Sequence, residues 1–346
     1  MSPLALSVLD LLPVRTGQTT ADAVSAARGL ARIADEAGYR RYWVAEHHNM
    51  PSVASTNPPV LISLLAAATE RIRVGSGGVM LPNHAPLVVA EQFALLEAAY
   101  PGRIDLGIGR APGADPVTAW ALRAGADGQQ PVERFPEHVE QVRAMLEGAG
   151  LAGHLGGRRF TLTATPHAVA APPVWLLGSS DYSARLAAQL GLPYVFAHHF
   201  SGHGVDQALE LYRTGFRGEG EPRTFLTANV VVADTEEESD RLALPFQHMM
   251  GRLRTNLPPI ALPTVEEAEA LELPLPPTAF RAVRESWFVG TADVVADRLV
   301  AFADRYGVDE VMVQPVAGDQ AADPLDRTPA RERTLRRLAA AVGARG

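Results

Sequence analysis

RIRVGSGGVMLPNHAPLVVAEQFALLEAAYPGRIDLGIG, residues 71–109, holds a complete strand–helix–strand unit. IRVGSGGVML (72–81) is a short apolar run, and RIDLGIG (103–109) is another. Between them, PLVVAEQFALLEAAY (86–100) opens on proline and is long enough for a helix. Two strands joined through a helix pair in parallel, because a tight turn would have made them antiparallel. The unit sets the fold class as α/β.

The same alternation continues on both sides. Upstream, LALSVL (4–9) precedes a helix over 21–38, and RYWVA (41–45) precedes a helix over 57–70 opened by Asn57 and two prolines. Downstream come a helix over 131–147, PVWLLG (173–178), a helix over 183–191 and YVFAHH (194–199). A helix over 204–217, FLTANVVVAD (225–234), a helix over 235–256, DEVMVQPV (309–316) and a terminal helix complete the order. Eight buried-type strands, each followed by a helix, predict one (β/α)8 TIM barrel over residues 1–346. An open doubly wound sheet has the same periodicity and stands as the alternative. Two stretches fall outside the rhythm: a hairpin insertion over 153–172, and a proline- and acid-rich segment near 256–285 that reads as mobile.

Composition narrows the chemistry. Net charge is −8 with no basic stripe, which argues against nucleic acid. The chain has no cysteine, so disulfides, thiolate metal sites and a cysteine nucleophile are excluded. All 31 basic residues are arginine, which removes Schiff-base chemistry and a P-loop lysine. The first residues carry no signal-peptide pattern and no run reaches membrane-spanning length, so a cytoplasmic location is expected.

In a barrel, reactive groups gather at the carboxyl ends of the strands. AEHHNM (45–50) puts Glu46, His47 and His48 there; they suit proton transfer, or one histidine packs while the other faces solvent. Gly75, Gly77 and Gly78 either admit a flat ligand close to the backbone or mark a bend. GIGRAPG (107–113) fails the dinucleotide fingerprint because Pro112 replaces its third glycine. Its Arg110 suits a phosphate, or a structural ion pair. GSSDYSARLA (178–187) offers Gly178, Ser179, Ser180 and Ser183 at a helix start, an anion site or plain capping by Ser180 or Asp181. His199 and His203 have metal-like spacing, but Ser201-Gly202 between them reads as a turn, and no metal is expected. Arg110 and the Gly178–Ser183 turn come from neighbouring strands and can grip one phosphate together. The glycine turn on the next strand leaves room for an attached planar ring, with His47 one strand further round.

AEHHNM, GSGGVMLPNHAP, YPGRIDLGIGRAPG and VWLLGSSDYSARLAAQLGLP together resemble the bacterial luciferase-like, flavin-dependent monooxygenases, over residues 4 to about 316. The resemblance implies a (β/α)8 barrel that binds reduced FMN, or in some branches a deazaflavin, at its carboxyl face. It implies His47 as the catalytic histidine and a non-proline cis peptide at Gly77-Gly78 under the flavin ring. It places phosphate contacts at Arg110, Ser179, Ser180 and Ser183, near Gly178. Ser179 stands where luciferase has a glutamate, so only its backbone contribution carries over. Gly109 replaces luciferase's reactive cysteine. The implied reaction takes reduced FMN from a separate flavin reductase and O2 through a flavin C4a-peroxide to oxidise an aldehyde, ketone or aromatic substrate. Hydride transfer with a deazaflavin, or an idle flavin-binding protein, are the alternatives. A mobile lid over 256–285 and a homodimer through VLISLLAAA (60–68) and VVAEQFALLEAA (88–99) are also implied.

Overall fold

The computed structural model describes residues 4–111, 115–123, 130–148 and 150–344. Pro112 lies outside these residues. Eight parallel strands form a closed ring: β1 (Ala5–Asp10), β2 (Arg41–Val44), β3 (Arg73–Ser76), β4 (Ile104–Gly109), β5 (Val174–Gly178), β6 (Tyr194–Phe196), β7 (Thr224–Ala233) and β8 (Glu310–Pro315). Pairing runs in chain order and closes where Ser7 of β1 meets Met312 of β8, so the open-sheet alternative falls. The outer layer comprises α1 (Thr20–Glu36), α2 (Pro58–Ala66), α3 (Pro86–Ala99), α4 (Phe135–Leu146), α5 (Asp181–Leu190), α6 (Val205–Gly215), α7 (Glu236–Arg254), α8 (Ala292–Tyr306) and α9 (Pro329–Gly343).

Strand alternation divides the core into two regions. Val8, Tyr42, Val44 and Val74 point outward to the helices. Leu9, Trp43, Trp175, Phe225 and Met312 fill the barrel. The three aromatic rings meet edge-to-face or tilted, with centroids 5.0–5.9 Å apart. Glycine makes this filling fit: a Cβ on Gly75 would lie 2.7 Å from the Trp43 indole nitrogen, and one on Gly107 only 2.0 Å from the Ser76 carbonyl oxygen. At the amino-terminal mouth, buried Arg41 pairs with Asp105 and Glu310, each at 2.8 Å, and its guanidinium lies 4.8 Å from the Trp175 ring centre. Ser7 and Arg40 on Glu310, and Arg73 and the Trp43 indole N–H on Asp105, add further hydrogen bonds to these carboxylates, as burial of charge requires.

The structure adds to the expected element list. The 72–81 run splits into β3 and a short continuation, Val79–Met80, on either side of a cis Gly77–Gly78 peptide. The 153–172 insertion is an antiparallel hairpin, Leu151–Leu155 with Arg158–Leu162, turned by Gly156 and Gly157. The 256–285 segment contains two short helices, Val265–Ala270 and Pro277–Glu285, both packed on α7. Phe288–Thr291 is an extra strand that pairs with β7 and leads into α8, neither of which was expected. Among the described residues, no helix is long and apolar enough to cross a membrane.

Candidate active site

The loop leaving β2 folds back on itself. The His47 backbone N–H donates to the Ser55 carbonyl at 2.9 Å, and the Ser55 hydroxyl donates to the Ala45 carbonyl. Glu46 is turned inward and almost fully buried. Its carboxylate meets His84 Nε2 at 2.7 Å and His48 Nε2 at 2.9 Å, and accepts from the Met80 N–H at 2.9 Å. Burial would raise the Glu46 pKa, but the hydrogen bond and charge of His84, followed by the bonds from His48 and Met80, hold it below its ordinary value. Glu46 is therefore an anionic clamp between the β2 loop and the segment after β3, and His48 is one of its partners. His47 is left to face the mouth of the barrel.

There a chamber of about 640 Å³ opens, a volume typical of small-molecule sites. His47, His199, Asn229 and Gln314 are part of its polar wall, with His48, Asn49, Asp115 and Asn256 also lining it; Leu11, Phe246, Met249, Met250, Leu253 and Trp287 supply much of the rest. His199 Nδ1 lies 2.5 Å from the Thr227 hydroxyl, and the Asn229 amide donates to the His199 carbonyl at 2.9 Å. Burial, aided by the nearby His47 and His198, pushes the His199 pKa down to about 3, so the ring is neutral near pH 7. The short helix His198–Ser201 ends at left-handed Gly202, so His199 and His203 do not share one helical face.

The expected phosphate residues are not among the chamber's described lining residues; they follow the carboxyl ends of β4 and β5. Ile108 and Gly109 of β4 sit opposite Leu176 and Leu177 of β5. The Arg110 guanidinium stacks 4.1 Å from the centre of the Tyr182 ring, in the first turn of α5. No carboxylate among the described residues lies within ion-pairing distance of Arg110, so the structural salt bridge is not formed. Ser180 occupies the cap position of α5, but its side chain makes no capping bond. Ser183 differs from its neighbours. It is buried, its hydroxyl donates to the Ser180 carbonyl at 2.8 Å and lies 3.3 Å from the Tyr194 hydroxyl, and a Cβ on Gly178 would strike it. Ser183 thus braces the turn, while Arg110, Ser179 and Ser180 border its outer side. Gly77 and Gly78 have ordinary φ, and added Cβ atoms would meet Leu9 at 2.6 Å and the Gly107 backbone at 2.8 Å. These glycines pack the strand against the barrel filling.

A cation with no carboxylate partner among the described residues, stacked at a helix N-terminus, a nearby cis glycine pair and a chamber entered by a histidine fit a phosphate-bearing planar cofactor. Sequence reading missed His84 and the chamber residues Asn229, Gln314 and Trp287. Only Asn229 and Gln314 left a signal, as polar residues in otherwise apolar strands.

The family model described as "Luciferase-like monooxygenase" matches residues 5–310. A luciferase-like monooxygenase of Escherichia coli (strain K12) is 39% identical, over 90% of this chain and 91% of its own length. The N-acetyl-S-alkylcysteine monooxygenase of Bacillus subtilis (strain 168) is 34% identical, over 90% and 92%. Among solved structures, apo-MsnO8 superimposes with a TM-score of 0.86 at 36% identity, covering 98% of each chain. Two more distant structures share the fold alone. One is the oxygenating constituent of 3,6-diketocamphane monooxygenase from Pseudomonas putida in complex with FMN (TM-score 0.74, 19% identity). The other is an F420-dependent secondary alcohol dehydrogenase (TM-score 0.66, 16% identity).

Proposed function

This chain belongs to the luciferase-like monooxygenase family, and from that premise we propose that it oxidises a small organic substrate with reduced FMN and O2. The observation that carries the proposal is Arg110, a permanent cation without a carboxylate partner among the described residues, held by Tyr182 at the first turn of α5. It binds the FMN phosphate together with the backbone N–H groups of Ser179 and Ser180. Bound reduced FMN supplies two electrons and the site of oxygen activation. One oxygen atom enters the substrate and the other leaves as water.

The protein's residues do the rest. His47 holds or transfers a proton at its imidazole, facing the substrate. Neutral His199 adds hydrogen bonding without charge. The apolar wall from α7 and Trp287 keeps water away from the reaction. A separate flavin reductase delivers the reduced cofactor. Residues 1–346 work as one domain in the cytoplasm, and the 256–285 segment covers the open face.

The test is titration with FMN and with a deazaflavin, followed by oxygen uptake with aldehyde, ketone and aromatic substrates in the presence of a reductase. FMN is expected to bind at tens of micromolar, and binding of neither cofactor sinks the proposal. Preference for the deazaflavin with no oxygen uptake would favour hydride transfer. His47→Ala should bind FMN normally and lose turnover; unchanged turnover would mean that His47 does no chemistry.

A further inference from the structure

Gln314, near the carboxyl end of β8, is 5% exposed and lines the chamber, and its buried side-chain carbonyl has no hydrogen-bond partner. A buried acceptor of this kind lowers stability unless a donor reaches it. Asn229 lies directly opposite in the β7–β8 register, but its amide donates to His199. Among its described lining residues the chamber has no arginine, and Asp115 is the one carboxylate. The Asp115 carboxylate accepts from the Val117 and Thr118 N–H groups at 3.0 and 3.1 Å.

We propose that the chamber selects an uncharged substrate carrying one N–H or O–H donor on an apolar body, and that Gln314 Oε1 accepts from that donor. This deepens the proposed function and rests on it. Phe246, Met249, Met250 and Trp287 hold the apolar body, methionine adapting to its outline. A substrate lacking the donor would leave the acceptor unpaired inside the complex, the situation in which protein sites discriminate strongly. A carboxylate or sulfonate would face the Gln314 oxygen, with no arginine among the described lining residues to offset the repulsion.

The experiment is calorimetric titration of the full chain with N-hexylacetamide, with N-hexyl-N-methylacetamide and with hexanoate, and of FMN separately. The wild type is expected to bind the N–H amide about tenfold more tightly than its N-methyl counterpart. Gln314→Leu should bring the two within about twofold while leaving FMN affinity and the circular dichroism spectrum unchanged. Should Gln314→Leu fail to fold, Gln314→Met is read the same way, and the wild-type ratio stands by itself. The proposal is overturned by equal binding of the amides to the wild type, or by no binding at millimolar concentration. A preference surviving substitution, tighter binding of hexanoate, or a tenfold loss of FMN affinity in Gln314→Leu overturns it equally. Loss of FMN binding with the amide ratio intact would instead remove the flavin reading alone.

Discussion

Glu46 and His84, 38 positions apart in the chain, meet at 2.7 Å and tie the histidine-bearing loop of β2 to the turn that follows β3. Glu46→Gln, which keeps the shape and removes the charge, should cost about 1.5–3 kcal/mol, the range for hydrogen bonds to a charged group. Because the Glu46 pKa is depressed, its stabilisation is present above the ordinary value of 4.5 and is lost as pH falls through the lowered value. Urea unfolding of both proteins at neutral pH and in steps below 4.5 checks this. A gap between them that never narrows on acidification would contradict the assignment.

His199 gives the opposite case of a base kept neutral. Its pKa of about 3 lies below the ordinary 6.5, so below 6.5 the unfolded chain takes up a proton that the folded chain refuses. Stability contributed by the neutral ring is full above 6.5 and declines as pH drops toward about 3. His199→Gln should flatten that decline in a pH series of unfolding curves. An unchanged slope would mean that the ring titrates normally.

Arg110 separates a phosphate contact from general ring binding. Arg110→Ala should weaken FMN by about 1.5–3 kcal/mol and leave riboflavin, which lacks the phosphate, within about twofold. Parallel fluorescence titrations give both numbers. Equal losses for the two flavins would place Arg110 elsewhere in the site.

Two glycines of one strand should behave differently. A Cβ on Gly107 would lie 2.0 Å from the Ser76 oxygen, whereas one on Gly109 has no neighbour closer than 3.9 Å among the described residues. Gly107→Ala should cost about 3 kcal/mol or more, and Gly109→Ala stay within about 0.5 kcal/mol. Thermal unfolding distinguishes them, and equal melting shifts would refute the packing argument.

Val60 and Leu64 on α2 and Val88 and Leu95 on α3 are each 40–56% exposed, on neighbouring helices. An apolar patch of this kind suits a two-fold interface with a second copy. Leu64→Arg with Leu95→Arg should convert a dimer to a monomer in sedimentation velocity. A wild type that sediments as a monomer rules the interface out.

The barrel was legible in the sequence because each of its strands is a short apolar run with a helix behind it. Phe288–Thr291 and α8 escaped because they follow a proline-rich segment and break the one-strand, one-helix count, although Trp287-Phe288-Val289 is a strand-like run. Arg110 and the serine turn could be placed as neighbours because adjacent strands carry them. Ser183 looked equivalent to Ser179 and Ser180, yet helix geometry turns it toward Tyr194. The partnership of Glu46 with His84, and the unmet acceptor on Gln314, depend on tertiary placement that no local pattern encodes.

Trp43, Trp175 and Phe225, with Arg41 beneath them, plug the barrel from below. No ligand can travel along the barrel axis from that end, so traffic is confined to the carboxyl face.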